Sequence, residues 1–135
     1  MIVVDANVIA YFWIPGDFTE LARKLLLKEP KWISVPLWRS ELRSIVTQYV
    51  RQSMMLESVA TDVLRSAFDQ MNRNECSVSN DAVMKYVFAS RASAYDCEYI
   101  ALATEKGVPL VTCDKPLIRA FPDVAVHLTT FLEQS

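Results

Sequence analysis

A chain of 135 residues that is 52% hydrophobic has enough apolar material for one self-supporting core, which excludes a disordered polar chain. Its net charge of −2 gives no bulk attraction for nucleic acid, so a polyanion would have to be held by a local patch. Two glycines and one histidine leave no material for a P-loop, a GxGxxG turn or a two-histidine acid–base site, and no GxSxG elbow is present.

Met1 to Val4 is a short β-branched run, read as a buried strand ending at Asp5. Asn7 to Phe12 reads as a short helix broken by Pro15-Gly16. Asp17 and Glu20 have capping-box spacing and are expected to open a helix through about Glu29, with Leu21, Leu25 and Leu26 inward. Trp32 to Val35 is a second strand, and Pro36 suits the first turn of a helix reaching Arg51. That helix carries a stripe of Leu42, Ile45, Val46 and Tyr49. A further helix is expected from Met54 to Met71, with Leu56, Val59, Ala60, Val63, Leu64 and Ala67 on its apolar face. Ser79 caps another through Arg91. Ser93 caps the last long helix, which stops at Gly107. Pro109 to Cys113 is an apolar strand ending at Asp114. A short helical turn, an edge strand at Val124 to Leu128 and a docked Phe131-Leu132 complete the chain.

Strands alternating with helices predict an α/β fold, a central mostly parallel sheet flanked by α-helices, in one domain over residues 1–135. Cys76, Cys97 and Cys113 are odd in number and scattered, as in a reduced chain. No apolar run approaches the roughly 20 residues of a membrane span, and the N-terminal run is too short for a signal peptide. The expected setting is the cytoplasm, with no membrane.

In parallel sheets ligands bind beyond the carboxyl ends of the strands. Asp5 and Asp114 end two strands there. A helix between parallel strands runs back against them, so its N-terminus lies on the same edge. That puts Asp96 in the first turn of one such helix, and Glu41 in the second turn of another, on the rim with them. Clustered carboxylates repel, and a cation removes that cost. Hard oxygen ligands select Mg²⁺ or Mn²⁺, and two such ions can drive hydrolysis of a phosphodiester without a protein nucleophile. Each acid also has a plainer reading. In it Asp5 simply ends its strand, Asp96 suits a capped first turn, Asp114 N-caps the turn at Lys115-Pro116, and Glu41 reaches solvent. Asn7 and Thr112 could hydrogen-bond a carboxylate, and Arg39, Arg43 and Lys115 could hold phosphate. Glu98 is two along the helix from Asp96 and is expected to point elsewhere. His127 and the three tryptophans read as satisfied or core residues.

These motifs resemble a known family. Ile2-Val3-Val4-Asp5-Ala6-Asn7-Val8 opens like a PIN domain. Trp38-Arg39-Ser40-Glu41-Leu42, the run Tyr95-Asp96-Cys97-Glu98-Tyr99-Ile100-Ala101-Leu102-Ala103, and Leu110-Val111-Thr112-Cys113-Asp114 resemble its later acidic motifs in order. The size and the Phe121-Pro122-Asp123-Val124 ending are similar to VapC-type toxins of type II toxin–antitoxin systems. The resemblance implies endonucleolytic RNA cleavage with Mg²⁺ or Mn²⁺. It implies Asp5, Glu41, Asp96 and Asp114 as metal-site acids, with Asn7 and Thr112 as polar support. It also implies a homodimer and a small antitoxin partner. Residues 54–91 match no motif. Two other readings remain: an inactive PIN-like module that only binds a partner or RNA, and a receiver-like phosphoacceptor domain. The latter lacks the adjacent acidic pair after the first strand, since Asp5 is followed by Ala6.

Overall fold

The computed structural model describes residues 1–134. In chain order it runs β1 (Ile2–Val4), α1 (Ala6–Trp13), α2 (Thr19–Lys28), β2 (Trp32–Ile33), α3 (Trp38–Arg51), α4 (Glu57–Met71), α5 (Asn80–Phe88), α6 (Ala94–Lys106), β3 (Leu110–Thr112), α7 (Lys115–Ala120), β4 (Ala125–His127) and α8 (Leu128–Glu133). The four strands are ordered β2-β1-β3-β4 and every pairing is parallel. The expected α/β sheet is therefore observed, with β4 on its edge.

Side chains alternate across the pleat, so each strand feeds two cores. Ile2 and Val4 pack with Trp32, Val111, Trp38 and Leu42 on the face covered by α1 to α4 and α8. Val3 and Leu110 pack with Ile33, Tyr99, Ile100 and Leu117 on the face covered by α6 and α7. Burial on both faces explains why the strands read as unbroken apolar runs. Trp32 and Trp38 are core residues as expected. The cysteines are free thiols, and His127 is satisfied by Thr129.

Several expected details differ. Asp17 caps nothing: Thr19 accepts from the Gly16 N–H and donates to the Ile14 carbonyl, so the turn closes on Thr19 and α2 starts there with Phe18 as its uncapped flank. Ala22 and Leu25 are its buried positions, with Leu21 and Leu26 only half-buried. Pro36 lies in a turn ahead of α3, which moves Glu41 into the first turn. α4 starts at Glu57 rather than Met54, and Leu56 and Val59 are exposed, because Ala60, Val63, Ala67 and Met71 form the inward face. α5 ends at Phe88, short of Arg91. Among the described residues no helix is long and apolar enough to cross a membrane.

The start of α3 is fixed from outside the sheet. The segment after α4 runs beside β2, with the Ser34 N–H donating to Asn74 O and the Cys76 N–H to Ser34 O. That places Glu75 under the helix start. Its carboxylate accepts from Trp38 Nε1 at 2.7 Å, Arg39 Nε at 2.7 Å and Arg39 Nη2 at 2.6 Å. Charge-assisted bonds of this kind contribute about 1.5–3 kcal/mol. Glu75→Ala also strands the Trp38 indole N–H, so a loss of about 2 kcal/mol is expected in urea unfolding. A loss too small to measure would show that the clamp is not needed to seat α3.

Candidate functional site

Asp5 follows β1 and caps α1. Its Oδ1 accepts from the Val8 N–H at 3.1 Å, and its Oδ2 accepts from the Thr112 hydroxyl at 2.6 Å. It is only 8% exposed. Burial pushes its carboxyl up to about 6, against the lowering effect of the Thr112 and Val8 bonds, and the charges of Glu41 and Asp114 raise it further. Asp114 follows β3 and caps α7, accepting from the Leu117 N–H at 3.1 Å. Its own N–H donates to Thr112 Oγ1 at 3.0 Å. Fully buried Thr112 thereby ties the two strand-end acids together.

Asp96 sits in the first turn of α6, where its N–H donates to the capping Ser93 hydroxyl at 3.0 Å. Burial, then the Asp114 charge, raises its carboxyl, and a separate side-chain contact with the Ser93 hydroxyl opposes them. Glu41, in the first turn of α3, accepts from the Tyr99 hydroxyl at 2.5 Å. Burial raises it, the Tyr99 bond lowers it, and the Asp96 charge raises it again. The plainer capping reading of Asp114 is thus true as well, and Asp5, read only as a strand end, also caps a helix, since a cap at a strand's carboxyl end is also a group on the sheet's carboxyl edge.

The electrostatic neighbours form a closed circuit. Asp5 feels Glu41 and Asp114, Asp96 feels Asp114, and Glu41 feels Asp96. The structure therefore gathers the four predicted acids and Thr112. It does not tie Asn7 to them: that side chain is exposed and makes no hydrogen bond to an acid among the described residues. Arg39 is committed to Glu75, with its guanidinium over the Phe68 ring, and Arg43 donates to Ser40. Lys115 is exposed directly after Asp114.

Two residues were missed. Tyr99 is buried, and its hydroxyl, raised by burial and then by its bond to Glu41, acts as a lasting donor. Glu98 is half-buried, and burial, then the charge of Glu41, raises its carboxyl. Helical spacing correctly separates it from Asp96 and says nothing about an acid arriving from α3.

The donor set is all hard oxygen, which suits Mg²⁺ or Mn²⁺. Among the described residues no three His, Cys, Asp or Glu groups close on one point.

A family model described as PIN domain matches residues 2–121. Ribonuclease VapC3 from Pyrobaculum aerophilum is 26% identical over 125 residues, covering 90% of this chain and 95% of the relative. Among solved structures, PAE2754 from P. aerophilum superposes with a TM-score of 0.76 at 18% identity, covering 96% of this chain and 85% of that one. FitAcB from Neisseria gonorrhoeae gives 0.70 at 20% identity, covering 94% and 96%. FitAB bound to an IR36 DNA fragment gives 0.71 at 15% identity, covering 100% and 98%. These structures share the fold. The matched family span takes in all four acids and every strand but the last, and the chain belongs to the PIN domain family.

Proposed function

We propose that this chain is a divalent-metal-dependent endoribonuclease, acting as the toxin of a type II toxin–antitoxin pair. The observation that carries the reading is the meeting of Asp5 and Asp114, tied through Thr112 at two strand ends, with Asp96 lining one recess with Asp114 and Glu41 in the first turn of α3. A scaffold gains nothing by holding repelling carboxylates together. The similarity to a ribonuclease VapC supports RNA as the substrate. The resemblance to VapC-type toxins supports a small antitoxin partner and a homodimer.

Mg²⁺ or Mn²⁺, when bound, supplies the charge that activates water and stabilises the leaving oxygen of a phosphodiester. The chain's own residues prepare for it. Thr112 and the Val8 N–H fix both oxygens of Asp5, so its rotamer is set before any ligand arrives. Thr112 also fixes the backbone of Asp114, and Ser93 that of Asp96. Tyr99 aims Glu41 by holding one of its oxygens. Lys115 is exposed and follows Asp114 in sequence, which supports a role in meeting an RNA phosphate.

The reading is tested by incubating the purified protein with cellular RNA, with and without Mg²⁺ or Mn²⁺, and sequencing the new 5′ ends. No cleavage with either ion would return the chain to a binding module. Glu41→Gln keeps the shape and removes the charge. It is expected to lower cleavage at least tenfold and to raise the metal concentration required, because a charged oxygen donor becomes a neutral one. Glu57→Gln is the control: Glu57 is exposed in the first turn of α4 and touches none of the acids. Equal, small effects at both positions would remove Glu41 from the site.

A further inference from the structure

Beside the acids lies a recess of about 320 Å³, lined by Asp96 and Asp114 and also by Arg91, Ser93, Pro116 and Leu117. Its volume is at the low end of ligand sites, ~300–1,000 Å³, which suits one nucleotide. Arg91 is the cation in this recess. It is exposed and forms no ion pair among the described residues. Its backbone is nevertheless pinned on both sides. The Ser90 hydroxyl donates to Tyr86 O at 2.8 Å and accepts from the Ala92 N–H at 3.2 Å, and Ser93 caps α6. An unpaired guanidinium on a fixed loop is organised for an anion, and its planar fork suits phosphate oxygens.

An RNA strand entering this edge meets a ring of carboxylates. Metal ions offset the repulsion at the scissile phosphate only. A neighbouring phosphate needs a cation of its own; Arg39 is held by Glu75, and Lys115, exposed beside Asp114, does not line this recess. We propose that this recess seats the nucleotide flanking the scissile phosphodiester, with Arg91 as a positioning residue that holds the flanking phosphate. Pro116 and Leu117 supply apolar surface for the sugar and base. The assignment rests on the nuclease reading above and adds to it where the strand lies.

The test uses a 5′-fluorescein-labelled single-stranded RNA of mixed sequence. KM and kcat are measured in Mg²⁺, and affinity is measured by anisotropy across a salt series on an Asp5→Asn background. Arg91→Ala is expected to raise KM about tenfold with kcat changed by less than about threefold, as for loss of one charge-assisted contact. The slope of log affinity against log salt should shrink by about 0.7, the share of one phosphate on a single strand. Arg91→Lys should recover the slope and only part of the KM, since it lacks the fork. Arg119→Ala, exposed on α7 and outside the recess, should behave as the parent. Unchanged KM and slope in Arg91→Ala, with parent cleavage intact, would overturn the Arg91 assignment alone. Absence of cleavage and binding in the parent protein would overturn the nuclease reading and this assignment together.

Discussion

Asp96→Asn is expected to lower RNA cleavage about a hundredfold or more while leaving the far-UV circular dichroism unchanged. Asp96 is the cleanest of the four positions for this substitution. Its carboxylate caps no helix, and it is the Asp96 backbone N–H, which Asn retains, that donates to Ser93. What Asn removes is a charge that metal binding requires. Metal ions contribute several kcal/mol of charge stabilisation in such transition states, and each 1.4 kcal/mol is about tenfold in rate. Asp114→Asn should lose a similar factor. It should stay folded too, since Asn caps helices about as well as Asp and keeps an oxygen for the Leu117 N–H. Cleavage within a fewfold of wild type in Asp96→Asn would dismantle the proposed site. Loss of fold together with activity would make Asp96 a structural residue.

Metal-free protein should lose stability as pH rises from about 4 to 6 and then level off, because of Asp5. Its ordinary value is 3.8, and burial lifts it to about 6 in the fold. Between those limits the folded chain holds a proton that the unfolded chain has released. The folded state then binds more protons, so stability falls with pH. A separation of about two pH units, at about 1.4 kcal/mol each, amounts to roughly 3 kcal/mol at neutral pH. Asp5→Asn removes that burden and still offers an oxygen to Val8, so metal-free Tm at pH 7.5 should rise by about 5–10 °C. Saturating Mg²⁺ should reverse the order by stabilising the wild type more than the variant. A metal-free wild-type Tm that is flat from pH 4 to 7 would show that Asp5 is not held in a costly ionised state.

The acids were readable in the sequence because a one-dimensional rule places them. Strand ends and the N-termini of returning helices share an edge, and that puts Asp5, Asp114, Asp96 and Glu41 together without knowledge of packing. The gathering of Glu98 and Tyr99 around Glu41 obeys no such rule, since it depends on how α3 lies against α6. The Glu75 clamp was hidden for the same reason: 36 residues separate it from Arg39, and nothing in residues 54–91 resembles a motif. Local signals failed where two were in competition. Asp17 and Glu20 have capping-box spacing, but the Thr19 hydroxyl satisfies the turn first. Leu56 and Val59 extended an apolar stripe on paper, while Ala60 and Val63 form the face that packs.

The strand order also bears on when this protein can act during its own synthesis. β1 pairs with β3 between Val3 and Leu110 and between Val4 and Val111. β1 can pair with β2 early, but its other edge waits for β3, roughly 5–20 s of elongation later at 5–20 residues per second. Until Asp114 follows β3 into place, Asp5 has neither its Thr112 donor nor Asp114 beside it. On the nuclease reading proposed above, a nascent chain lacks its assembled acidic edge, and with it the means to cut RNA, until that point in its synthesis.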